Sequence, residues 1–131
     1  MFDINTQGAA PIWRQIEEGV RRMISLGMLE PGGAVPSVRE LAQQLRVNPN
    51  TVARAYQRLT DARVLTVRRG EGTFVADTPP QVRKSEKSDA LRDGATRYAG
   101  TALAVGATFD EAQAELSESF QRLVREHRRK A

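Results

Sequence analysis

The sequence predicts an α+β, mostly helical chain: three short helices, a two-stranded hairpin and a two-helix C-terminal hairpin. Three observations carry that prediction. Apolar residues recur at helical spacing along most of the chain, with start signals ahead of the stretches. One β-prone stretch, from Val64 to Val75, interrupts the helices and carries glycines at its centre. A proline-bearing charged segment, 77–88, then divides residues 1–76 from a second helical run over 89–131.

Taken in order, residues 1–10 read as polar and irregular. Pro11 stands where a first helical residue belongs, because its fixed φ suits a first turn and its missing N–H goes unneeded there. Ile12, Ile16, Val20 and Ile24 follow on one face, with Trp13 and Met23 flanking the stripe and Gly27 ending the helix. Glu30-Pro31-Gly32-Gly33 reads as a turn. Ser37-Val38-Arg39-Glu40 is a capping box opening a second helix, whose apolar face is Val38, Leu41, Ala42 and Leu45. Asn48-Pro49 repeats the start signal, and Val52, Ala55, Tyr56 and Leu59 mark the buried side of a third helix. Only Arg46-Val47-Asn48 separates the second helix from the third, the short turn of a helix-turn-helix. Val64–Val67 and Thr73–Val75 are strand-prone around the Arg68–Gly72 turn, so the hairpin reads as a wing. Beyond the linker, Leu91, Ala95, Tyr98, Ala102 and Val105 form a heptad-like seam. Gly106-Ala107 breaks it, and the Thr108–Glu111 capping box opens a last helix with Phe109, Ala112, Leu116, Phe120, Leu123 and His127 on one face.

Composition narrows the function classes. The chain has 131 residues and is 40% apolar, which suits a packed domain with a short appendage. It has no Cys, which excludes disulfides, thiolate metal sites and a cysteine nucleophile. No stretch approaches the roughly 20 apolar residues of a membrane span, and the opening residues lack signal-peptide order, so a cytoplasmic protein without a membrane partner is expected. The single His, His127, has no partners at metal-ligand or triad spacing and is expected to pack or be half exposed; neither catalysis, metal nor cofactor is expected.

Charge placement points elsewhere. Net charge is +4, and from Val38 to Arg69 the basic residues are Arg39, Arg46, Arg54, Arg58, Arg63, Arg68 and Arg69, against only Glu40 and Asp61. Arginine suits bidentate phosphate and guanine contacts. The apolar stripe of the third helix turns Asn50, Thr51, Arg54, Gln57 and Arg58 outward, and such a helix lays its N-terminal residues in a major groove. Asn and Arg pair bidentately with adenine and guanine edges. An arginine-rich face argues against a winged module used only for protein contacts, which would be acidic or apolar.

These residues also carry a family resemblance. Gly27-Met28-Leu29-Glu30-Pro31-Gly32, Val35-Pro36-Ser37-Val38-Arg39-Glu40-Leu41-Ala42, Asn48-Pro49-Asn50-Thr51-Val52-Ala53-Arg54-Ala55-Tyr56 and Arg69-Gly70-Glu71-Gly72-Thr73-Phe74-Val75 occur in that order. Together they resemble the DNA-binding domain of GntR-family regulators over roughly residues 10–76. The middle segment and the short two-helix tail resemble the YtrA-type branch, which lacks a large ligand-binding domain. The resemblance implies a homodimeric winged-helix repressor on a palindromic operator in double-stranded DNA, often of a transporter operon, tuned by an effector of unknown identity. It implies that Arg39, Asn48, Asn50, Thr51, Arg69 and Gly70 hold DNA. With Ser37, Arg54, Arg58 and Arg68 these make the expected DNA-binding set. Some branches carry arginine where this chain has Ala53, so the basic duty there is expected of Arg54. Gly70 also meets a physical need, since a tight hairpin tip requires positive φ and a slim backbone. In the tail, Leu91, Tyr98, Phe109, Leu116, Phe120 and Leu123 are the expected dimerisation residues, because an isolated helix pair cannot bury both apolar stripes.

Overall fold

The computed structural model describes residues 1–130, in the order α1 (Ile12–Ser25), α2 (Val38–Leu45), α3 (Pro49–Asp61), β1 (Leu65–Arg68), β2 (Gly72–Val75), α4 (Lys84–Ala104) and α5 (Phe109–Lys130). They form two compact units. The first comprises Met1–Pro80 with the residues from His127 onward, and the second Gln81–Glu126.

In the first unit every helix buries the face its apolar spacing predicts. Ile16, Val20 and Met23 of α1, Leu41 and Ala42 of α2, and Val52, Ala55, Tyr56 and Leu59 of α3 meet Val64, Leu65 and Val75 of the hairpin in one core. The helix ends follow from local chemistry. Pro11 lies one residue before the helix rather than in it, and its carbonyl accepts from Arg14 N and Gln15 N, while beyond Leu26 the N–H of Gly27 bonds to Ile24 O and that of Met28 to Met23 O. That pairing needs a left-handed residue at Gly27, whose φ is 75°. Arg46 and Arg63 perform the same service at the ends of α2 and α3 with φ of 57° and 63°, a conformation that costs an L residue.

The structure adds two features that periodicity could not show. Phe2, in the segment read as polar and irregular, is buried in the core, and Met1 and Ile4 pack beside it. Its ring occupies the space left by Gly19: a Cβ there would lie 2.6 Å from ring carbons of Phe2. Gln15 fixes the arm by accepting from Asn5 N at 2.7 Å and donating to Asn5 O at 2.8 Å. The second feature is on the sheet. β1 and β2 pair antiparallel with Leu65 opposite Val75 and Arg68 opposite Gly72. The free edge of β2 then takes up the stretch after the first turn, with Val35 N on Thr73 O at 2.9 Å and Val75 N on Gly33 O at 2.8 Å. Residues so few and so rich in glycine show no alternation to read.

His127 packs: it is 3% exposed, its Nε2 accepts from Arg22 Nε at 3.2 Å, and its ring stacks on Phe2.

In the second unit α4 starts at Lys84, so Lys84–Ser88, grouped with the linker by composition, are helical. Pro80 is the last residue that forbids a helix here, and charged residues after it are good helix formers. Gly106, at φ 75°, ends α4 with Ala107 N on Ala102 O. Thr108 and Glu111 form the expected reciprocal cap of α5, and hydrogen bonding from Thr108 holds the Glu111 carboxyl below its usual range. Tyr98 donates its hydroxyl to Ala112 O at 2.7 Å, joining α4 to α5. Leu91, Leu103, Val105, Phe109, Leu116, Phe120 and Leu123 remain exposed. No helix among the described residues is long and apolar enough to cross a membrane.

Candidate nucleic-acid interface

The expected residues are carried by α2, the turn after it, α3 and the β1–β2 tip. At the start of α2 the Ser37 hydroxyl accepts from Glu40 N at 3.0 Å and Glu40 returns a bond to Ser37 N at 3.2 Å. The cap orients the first turn, and its next outward position is Arg39, which is exposed and has no hydrogen bond or ion pair among the described residues. Val47 N on Ala42 O closes α2, and Asn48 Oδ1 accepts from Asn50 N at 2.8 Å to open α3. The Asn48 side-chain oxygen is therefore spent on the cap, while Asn50 is exposed and Thr51 half-buried.

Tyr56 ties α3 to the approach of α2, donating its buried hydroxyl to Pro36 O at 2.7 Å. Burial first, and the nearby Glu40 carboxylate second, push its phenol well above the ordinary range, so it stays a donor. With that face inward, Ala53, Arg54, Gln57 and Arg58 look out. Gln57 is engaged with Asp61 at 2.8 Å.

Arg54 and Arg58 lie over the ring of Trp13 on α1, at 4.6 and 4.5 Å from its centroid. Arg58 Nε also pairs with Glu17 Oε1 at 2.9 Å. Trp13 and Glu17 were absent from the expected site. Trp13 was read as flanking the core stripe, and only the packing of α1 on α3 reveals that its ring meets the arginines.

At the wing, Glu71 N bonds back to Arg68 O, and Gly70 takes φ 79° with no atom within 4 Å of where a Cβ would be. Arg68 lies over the Phe74 ring at 4.1 Å and 3.9 Å from Asp77. Arg69 is exposed beside Gly70 and has no ion pair among the described residues. Of the expected set, then, the side chains of Arg39, Asn50, Thr51 and Arg69 have no partner among the described residues and Gly70 is exposed, whereas Ser37, Asn48, Arg54, Arg58 and Arg68 have partners within the chain. Among the described residues no group of three or more His, Cys, Asp or Glu is placed to hold a metal ion.

Comparison with known proteins agrees with this geometry. The model of the family of bacterial regulatory proteins called gntR matches residues 13–75. The chain is 39% identical over 96 residues to the HTH-type transcriptional regulator YhcF of Bacillus subtilis, covering 73% of this chain and 74% of that one. It is 36% identical over 77 residues to the HTH-type transcriptional repressor YtrA of the same organism, 59% of each chain. Among solved structures, one described as a transcriptional antiterminator from Listeria monocytogenes superposes with a TM-score of 0.72 at 31% identity, covering 95% of this chain and 92% of that one. The DNA-binding domain of AraR, solved in complex with operator ORX1, superposes with a TM-score of 0.53 at 30% identity, over 57% of this chain and 96% of that one. The chain thus belongs to the GntR family, in its YtrA-type branch, and is a DNA-binding transcriptional regulator with a winged helix-turn-helix.

Proposed function

We propose that the chain is a cytoplasmic repressor that binds a palindromic operator as a homodimer, without catalysis, and that the operator belongs to a transporter operon. Arg39 and Arg69 are the observation that carries the DNA side. They stand at the first turn of α2 and at the wing tip with guanidinium donors unengaged, and the DNA-binding domain of AraR, which superposes on this chain, was solved with an operator. In this reading Asn50 and Arg54 read bases, Thr51 and Arg39 hold phosphates, and Arg68, Arg69 and Gly70 follow the backbone or the minor groove. Ser37 and Asn48 act at the helix starts, and Arg58 adds to the positive face.

The exposed apolar residues of the second unit support the dimer. Phe109 is 77% exposed and Phe120 68%, a cost that burial against a second copy removes. Leu91, Leu116 and Leu123 extend that face, and Tyr98 braces it from within. A two-fold dimer makes the second half-site contact intramolecular, worth roughly 10²–10⁴ in avidity. Occupancy of the operator would block polymerase, and an effector favouring one dimer geometry would tune it.

Sequencing the DNA retained by the purified protein supplies the operator. Light scattering of the full chain, then titration against the palindrome and a single half-site, tests the rest. A dimer that prefers the palindrome at least a hundredfold supports the reading. A monomer at micromolar concentration, or equal affinity for both DNAs, overturns it.

A further inference from the structure

Two arginines of the recognition helix share one indole. Their guanidinium carbons lie 4.6 and 4.5 Å from the Trp13 ring centroid, but they are held differently. Arg58 is also fixed by Glu17, whose side chain is only 14% exposed. Arg54 has no hydrogen bond or ion pair among the described residues, so the ring is what holds it. The distinction matters chemically. A carboxylate partner occupies the in-plane N–H donors of a guanidinium, whereas an aromatic ring engages its face and leaves all of those donors unspent.

We propose that Trp13 is a positioning residue for DNA recognition, standing Arg54 on its ring with the donors free for a base edge or phosphate. Glu17 makes the arrangement tolerable by offsetting the second positive charge on the same ring. Ordering an arginine costs rotamer freedom, and a stack already formed in the free protein removes part of that cost from the binding step. The inference rests on the reading of Arg54 as a DNA-contacting residue.

The test measures affinity for the recovered operator, and for the same duplex with one base pair changed, in the parent, Trp13→Leu, Trp13→Tyr, Arg54→Ala and the Trp13→Leu/Arg54→Ala double variant. Leucine fills much of the space without a π-face, and tyrosine keeps the face. Trp13→Leu should weaken operator binding about 3–10-fold and narrow the discrimination between the two duplexes. Trp13→Tyr should recover most of both, and Trp13→Leu should add nothing once Arg54 is alanine. If Trp13→Leu weakens the Arg54→Ala protein as much as the parent, or if tyrosine fails to restore what leucine loses, Trp13 does not act through Arg54. If Arg54→Ala binds both duplexes as the parent does, the proposal falls with the role assigned to Arg54, while Arg39 and Arg69 still test the wider interface.

Discussion

The two units solve the problem of apolar surface in opposite ways. In Met1–Pro80 each amphipathic helix finds its partner inside the chain: Ile16, Leu41, Val52 and Leu59 are all at 0% exposure. In Gln81–Glu126 two long helices are joined by the hydrogen bond from Tyr98 to Ala112, and their large apolar side chains are left in water. Helix strength is not the difference, since both units carry reciprocal caps and Gly-terminated ends. What differs is the number of layers. Three helices and a sheet can enclose a centre, and two helices cannot. A unit with its own core is free to commit its surface to charge, whereas the unit without one leaves its large apolar side chains exposed.

The sharpest way to break that contrast is a cavity on each side. Leu59→Ala should lower the unfolding free energy of the first unit by about 3–5 kcal/mol, read by chemical denaturation. Phe120→Ser should leave that transition in place and, on the proposed function, lower the mass seen in light scattering. A first unit that tolerates Leu59→Ala, or melts with Phe120→Ser, would mean the units do not differ in this way.

Gly19→Ala tests whether the N-terminal arm belongs to the enclosed core. With a Cβ 2.6 Å from Phe2, it should cost about 1–3 kcal/mol. In a Phe2→Ala background the same change should be harmless, because the ring it strikes has gone. Equal penalties in both backgrounds would show that Phe2 is not what Gly19 accommodates.

Arg39→Ala separates surface from core. It should cost about 1–3 kcal/mol of operator affinity while the denaturation midpoint stays put. A shifted midpoint would make Arg39 part of the fold rather than of the interface. The smallest effect concerns Arg63, left-handed at φ 63°. Arg63→Gly should raise stability by about 0.5 kcal/mol, the steric relief slightly exceeding glycine's entropy. A loss of stability would show that the side chain contributes more than its backbone costs.

The contrast also explains what could be read in advance. Helices with a stripe and a cap, such as Val38–Leu45 behind Ser37, declare themselves because side-chain spacing and cap chemistry are local. Phe2 did not, since one aromatic residue has no period, and its seat is made by a glycine on another element. Nor did the pairing of residues 33–35 on the free edge of β2, where backbone groups alone make the bonds. In the interface, residue types and outward positions were legible, but their partners were not. That Arg54 and Arg58 rest on Trp13, and Arg68 on Phe74, depends on how elements pack, and spacing within a single helix is silent about it.

The wing tip has one more consequence, which concerns handedness. At Gly70 nothing lies within 4 Å of an added Cβ, yet φ is 79°. Glycine is required there by the shape of the backbone, not by lack of room. A mirror-image alanine, introduced by chemical synthesis, has its preferred conformation at that φ and would fit without strain, whereas ordinary alanine would bend the tip. The pair therefore separates two demands that a single substitution confounds. If both enantiomers weaken DNA binding, the DNA needs the empty space. If only the natural one does, all the wing asks of this residue is the direction in which the chain turns.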